Sequence, residues 1–178
     1  MALIKDRRVV DNDPWLAVAD DQPIPATGDV LISWQRFDRC DIEPETRAGR
    51  VGLRIAPEDD LLQVITHLPK VSLVAIDFPK FGDGRGYTKA RLLRERYQYK
   101  GELRAVGEVL ADQLFYMLRC GFDSFQLAAG KDTQAALRAF ETFSVKYQAA
   151  TDEPRPLYVR AHRGEHAQQS AVERHAAL

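Results

Sequence analysis

The stretch LVAIDF (Leu73–Phe78), followed by PKFGDGRGY (Pro79–Tyr87), decides the fold. Six residues, almost continuously apolar, suit a strand covered on both faces, as strands of a parallel sheet are. A glycine-rich loop and a helical pattern follow. Thr88–Tyr97 places Ala90, Leu93 and Tyr97 on one face, with Arg91, Arg94 and Glu95 pointing away. The same alternation recurs on both sides. Further strands are expected at Arg50–Ile55, Leu103–Val106 and Ser124–Ala128. Between them, Pro57 suits a first helical position, with Glu58, Asp59 and Asp60 in the first turn before Leu61, Leu62 and Ile65. Asp112 is placed to cap a helix over Gln113–Cys120 that Gly121 stops. Asp132 is placed to cap a longer helix with an apolar stripe of Ala136, Leu137, Phe140, Phe143 and Tyr147. Strands separated by helices define βα units, so the expected class is α/β. About four to five such units form a mostly parallel sheet, either open or a partial barrel.

The βα core occupies residues 49–160 of a single domain spanning 1–160. Residues 1–48 read as an irregular N-terminal part, with a turn at Asn12-Asp13-Pro14, prolines at 23 and 25, and one strand candidate at Asp29–Ser33. The polar tail 161–178 offers no apolar stripe and is expected to be poorly ordered. At 178 residues, 45% hydrophobic and 29% charged, the chain has the profile of a globular protein. Its net charge of −1 excludes a chain-wide basic footprint for nucleic acid. No apolar run reaches the roughly 20 residues of a membrane span. Lys5 and Asp6 interrupt the N-terminus before a signal peptide could form, so a cytoplasmic location is expected. Charge is nevertheless uneven: residues 77–104 hold eight bases against four acids. A local basic field suits a small anion or an acidic partner.

Ligands of parallel sheets gather at the carboxyl ends of the strands. There the Asp77–Tyr87 loop combines Gly82, Gly84 and Gly86, which let backbone approach a ligand, with Lys80 and Arg85. The following helix start favours an anion. With Arg104 on the next strand, these six residues are the anion-binding candidates. In the alternative reading the glycines make a tight turn and the bases are solvated or pair with Asp77 and Asp83. Asp77, Glu108 and Asp112 are the candidate acid–base groups, although Asp112 equally serves as a cap and Arg104 equally pairs with Asp77.

No cofactor site is evident. The glycines spell G-x-G-x-G, whereas a dinucleotide fingerprint needs G-x-G-x-x-G, and position 87 is Tyr. Cys40 and Cys120 alone cannot hold a cluster or zinc. His67 is expected to cap the end of its helix. His162-Arg-Gly-Glu-His166 fits an inverted zinc-protease pattern, but Gly164 interrupts the helix that the pattern requires, so it reads as a chance match and no metal site is assigned.

Two runs, FPKFGDGRGYTKARLLR (Phe78–Arg94) and ELRAVGEVLADQLFYMLRCGFD (Glu102–Asp123), resemble a bacterial family of unknown function. Its members are commonly encoded beside assimilatory sulfite reductase and carry an oxidoreductase label tied to sulfite reduction. The resemblance extends from about Asp29 to Tyr158. The resemblance implies a role in sulfite reduction; the anion-suited loop and the lack of redox groups in the sequence make the expected role that of an accessory or assembly protein that binds a small oxyanion or docks on the reductase. It defines no catalytic residues. The label implies electron transfer, and with no carrier site visible in the sequence either a partner supplies the carrier or the chain is not an oxidoreductase. Two other readings stand beside it: an enzyme acting on a small anionic metabolite, and a docking module using the basic helix Lys89–Arg96.

Overall fold

A computed structural model describes residues 2–39 and 42–162. Its elements, in chain order, begin with β1 (Leu3–Lys5), β2 (Arg8–Val10), β3 (Leu16–Ala17), β4 (Val30–Ser33), α1 (Trp34–Arg39) and β5 (Val51–Ile55). Next come α2 (Leu61–Val64), β6 (Leu73–Phe78), α3 (Arg85–Arg91) and β7 (Glu102–Gly107). The last are α4 (Leu114–Arg119), β8 (Ser124–Gln126), α5 (Thr133–Ala139) and α6 (Leu157–His162). All eight strands join one sheet in the order β2-β1-β8-β7-β6-β5-β4-β3. Strands β3 to β8 run parallel, with β6 central, as the LVAIDF reading requires.

The sheet is larger than expected and not purely parallel. The N-terminal part is not irregular: it supplies four strands, and β1 lies antiparallel to β8 while β2 lies antiparallel to β1. The β1–β2 hairpin turns on Asp6 and Arg7, both at positive φ (49° and 61°). This is a two-residue turn that usually recruits glycine or asparagine, so no turn signal marks it in the sequence.

Several helix starts also differ. Pro57 lies in a turn, and α2 begins at Leu61 with Asp60 as its cap, the carboxylate accepting from the Leu62 N–H. Asp112 falls inside a 3-10 turn, where Gln113 rather than Asp112 accepts from the Leu110 N–H. Gly121, at φ 105°, does end α4, with its N–H and that of Phe122 returning to Leu118 and Met117. Asp132 caps α5 as expected, but the helix stops at Ala139 and leaves Phe143 and Tyr147 exposed. His67 packs its ring against Trp34 and Phe37. The His162–His166 motif and the tail from 163 lie outside the described residues, His162 contributing only the backbone that ends α6.

Strand alternation divides the sheet into two faces. One face carries Leu53, Ile55, Val74, Ile76, Phe78 and Leu103, and joins the helices in the main core. The other carries Leu31, Leu73, Ala75 and Val106, packed only with Trp15 in a smaller cluster. The two edge strands are consecutive in the chain. From Val10 to Leu16 is six residue steps, at most about 21 Å of extended chain. Eight strands laid flat would separate their edges by about 34 Å. The sheet therefore curls into a half-barrel, and residues 11–15 cross its concave face as a strap.

The strap is pinned electrostatically. Asp13 accepts two bonds from the Arg104 guanidinium, at 2.6 and 3.1 Å. Arg104 also donates to Glu102 at 2.9 and 2.7 Å, and Glu102 takes Lys5 at 2.6 Å. Both side chains of the central pair are buried, Arg104 at 3% and Glu102 at 7% exposure. Nearby, Trp15 lies against Leu73 and Gly52, and Arg50 stacks over its indole. Without Asp13 the buried Arg104 must share Glu102 with Lys5, so Asp13→Ala should lower stability, by at most about 3 kcal/mol, read from urea unfolding. Burial would raise the Glu102 carboxyl, but Lys5 and Arg104 outweigh it and hold the group below its ordinary 4.5. A depressed folded value favours the charged native form, so this stabilisation is complete above pH 4.5 and is lost as pH falls toward the folded value. The urea midpoint should fall below that pH, and less steeply in Glu102→Gln.

Candidate cleft at the carboxyl end of the sheet

The strap fills the concave face near the amino ends of the strands and leaves the carboxyl end open as a cleft of about 710 Å³. That volume falls within the range of small-molecule sites, about 300–1,000 Å³. Its floor is apolar, formed by Leu31 and Val106, with Ala128 alongside. Arg54 rises from the third strand of the parallel run and donates to the Asp77 carboxylate at 2.8 Å. The Arg54 side chain is half-exposed, whereas Asp77 is 19% exposed, so the guanidinium is the accessible partner.

Two more carboxylates line the cleft. Asp20 receives the Ser33 hydroxyl at 2.6 Å. Ser33 is the register neighbour of Arg54 on β4, so Asp20 is held on the β4 side of Arg54. Asp59, just beyond the end of β5, accepts from the Gln35 side chain and from the Ala56 N–H, both at 2.7 Å. The rim is held from behind by Lys89, whose ammonium donates to the carbonyls of Ala56 and Asp59 at 2.8 and 2.5 Å. Burial pulls the Lys89 pKa down, against the pull of Asp59. Gly107 supplies the remaining constraint. At φ 93°, any Cβ there would lie 2.5 Å from the Phe78 carbonyl oxygen and 2.7 Å from an Asp77 carboxylate oxygen.

The residues singled out from sequence are distributed differently. Asp77 lines the cleft. Glu108 and Asp112 are exposed and lie outside its wall. Lys80, Gly82, Gly84 and Arg85 are exposed on the loop leaving β6 at the same end of the sheet. Arg85 is bound to Asp83 through two side-chain contacts, at 3.0 and 2.7 Å, and this hydrogen bonding holds the Asp83 carboxyl at about 2. Gly86 is buried on the opposite face, where a Cβ would meet the Phe78 ring at 2.6 Å. Arg104, on β7, holds the strap, paired with Asp13 and Glu102 rather than Asp77. The structure therefore does not bring Arg104 and the loop bases together.

The basic helix is also largely occupied. Arg94 does not point away: it donates to the carbonyls of Tyr99, Gly101 and Gly121 and to Asp123. Arg91 pairs with Glu95 one turn on. A second groove of about 670 Å³ runs beside them, but Arg94 and Asp123 in its wall satisfy each other. Cys120 is buried, and burial pushes its thiol pKa up. Among the described residues no group of three or more His, Cys, Asp or Glu is placed to hold a metal ion. No helix among them is long and apolar enough to cross a membrane.

Arg54, Asp20, Ser33 and Asp59 were not legible as a site. Arg54 alone carries a signal, a charge inside the otherwise apolar strand VGLRI. The architecture is that of an α/β half-barrel with a ligand-sized cleft where its strands end. The chain belongs to the family described as bacterial protein of unknown function (DUF934), which it matches over residues 52–158. No curated protein matches it. Gly107→Ala should displace Asp77 and destabilise by about 1–3 kcal/mol, the usual size of such backbone strain, seen as a lower thermal midpoint.

Proposed function

We propose that this protein is an accessory protein of assimilatory sulfite reduction that binds a small anion-bearing molecule in the concave cleft, with the reductase as its partner. The resemblance of Phe78–Arg94 and Glu102–Asp123 to a family encoded beside that enzyme supports the pathway. The cleft supports the binding, and one observation carries it: Arg54 presents a half-exposed guanidinium above an apolar floor while its partner Asp77 is largely covered. A planar guanidinium recognises carboxylate, sulfite or phosphate oxygens through paired donors. An entering anion competes with Asp77 for Arg54. Lys80 on the neighbouring loop adds positive charge at the same end, and Arg85 adds its own only by leaving Asp83.

Asp77 favours a second reading, an enzyme acting on an anionic metabolite. When the ligand takes Arg54, the freed carboxylate faces the cleft and can accept a proton.

Calorimetric titration with sulfite, sulfate, phosphate and small organic acids tests the binding. Charge-assisted contacts contribute about 1.5–3 kcal/mol, so Arg54→Ala should weaken binding about tenfold or more. Asp77→Asn, which removes the competitor, should bind at least as tightly as wild type. Equal binding by wild type and Arg54→Ala would overturn the site. A strain lacking the chain should need reduced sulfur for growth, and unchanged growth on sulfate would overturn the pathway.

A further inference from the structure

We infer that the molecule bound in this cleft is an amino-acid-like zwitterion, carrying an ammonium group beside its anionic group; this rests on the cleft being the binding site proposed above. The argument is one of charge. Four ionised side chains line the cleft: Arg54, Asp20, Asp59 and Asp77. Their formal sum is −2, or −1 with Lys89 bound behind the rim, so a bare oxyanion coming to meet Arg54 enters a cleft in which carboxylates outnumber cations. In a partly dehydrated cleft such repulsion is larger than in water. A ligand that brings its own positive charge removes the conflict.

The placement of the groups matches that need. Arg54 has Asp77 beside it from β6, Asp20 on the β4 side and Asp59 above the end of its own strand. Among the described residues only Asp77 bonds to the guanidinium. Asp20 and Asp59 are held by neutral donors, a hydroxyl, an amide and a backbone N–H. Each carboxylate oxygen retains acceptor capacity; the Lys89 ammonium behind the rim offsets Asp59, whereas Asp20 is met by a neutral hydroxyl. Ser33, which holds Asp20, is the register neighbour of Arg54, so a carboxylate on Arg54 and an ammonium on Asp20 can belong to one small molecule. The floor of Leu31 and Val106 would take a short aliphatic or thiol side chain. No described lining residue is aromatic, so a flat base or ring finds no stacking partner there.

Calorimetry with the twenty free L-amino acids, each beside its counterpart lacking the amine and its N-acetyl form, provides the test. At least one amino acid should bind the full-length protein, its amine-free and N-acetyl counterparts at least tenfold more weakly. Asp20 is exposed, so Asp20→Asn should fold normally while losing about the same factor for the amino acid and nothing for a simple organic acid. Equal binding of an amine-free acid or of sulfite, still abolished by Arg54→Ala, would overturn the zwitterion and leave the cleft standing as an anion site. An amino acid that binds wild type and Arg54→Ala alike would overturn both readings, as would the absence of binding by every compound.

Discussion

The bidentate contact between Asp13 and Arg104 is the constraint on which the rest of the molecule depends. It fixes a five-residue strap to the middle of a sheet whose edges that strap connects. Because the strap is shorter than a flat eight-stranded sheet is wide, its attachment and the curl of the sheet are one event. The curl in turn creates an inside. Near the amino ends of the strands that inside is filled by Trp15, Arg104 and Glu102, and toward the carboxyl ends it stays open. The cleft is thus what remains of the concave face once the strap is seated.

Burying Arg104 and Glu102 is not by itself a favourable choice, since desolvation offsets much of the attraction between them. Specificity is the clearer gain. A hydrophobic strap could slide along the concave face, whereas a guanidinium fork donates to the Asp13 carboxylate in one register. Lys5 completes the network from β1, so the antiparallel hairpin and the strap are tied to the same charged centre.

The parallel core was legible because its strands are long and apolar. LVAIDF and the strand containing Leu103 to Val106 are buried on both faces, and their pattern survives without tertiary knowledge. The strands of the N-terminal part were not legible beyond β4, because β1 to β3 have two or three residues each and turn on residues that carry no turn signature. For the candidate cleft, sequence pointed to the carboxyl end of the sheet and to Asp77, which lines it. It misplaced Arg104, whose partner Asp13 lies 91 positions away. It also counted as surface charge what the fold spends internally: Lys89 on two carbonyls, Arg94 on three carbonyls and Asp123. Arg54 escaped because its significance lies in which face of the strand it occupies, and that face becomes an interior only through the curl.

The pairing of β1 with β8 has a consequence for synthesis on the ribosome. Leu3 finds its partner in Gln126, so the first strand to emerge must wait for almost the last. At roughly 5–20 residues per second, a typical rate of translation, the segment stays unpaired for about 6–25 seconds. During that time Leu3, Ile4, Val9 and Val10 offer a short apolar template with no sheet to join. The charges that frame it, Lys5 to Arg8, keep the nascent segment hydrated and discourage pairing with other chains. Closure of the half-barrel is therefore a late event, and the cleft is complete only once β8 has been made and β1 has joined it.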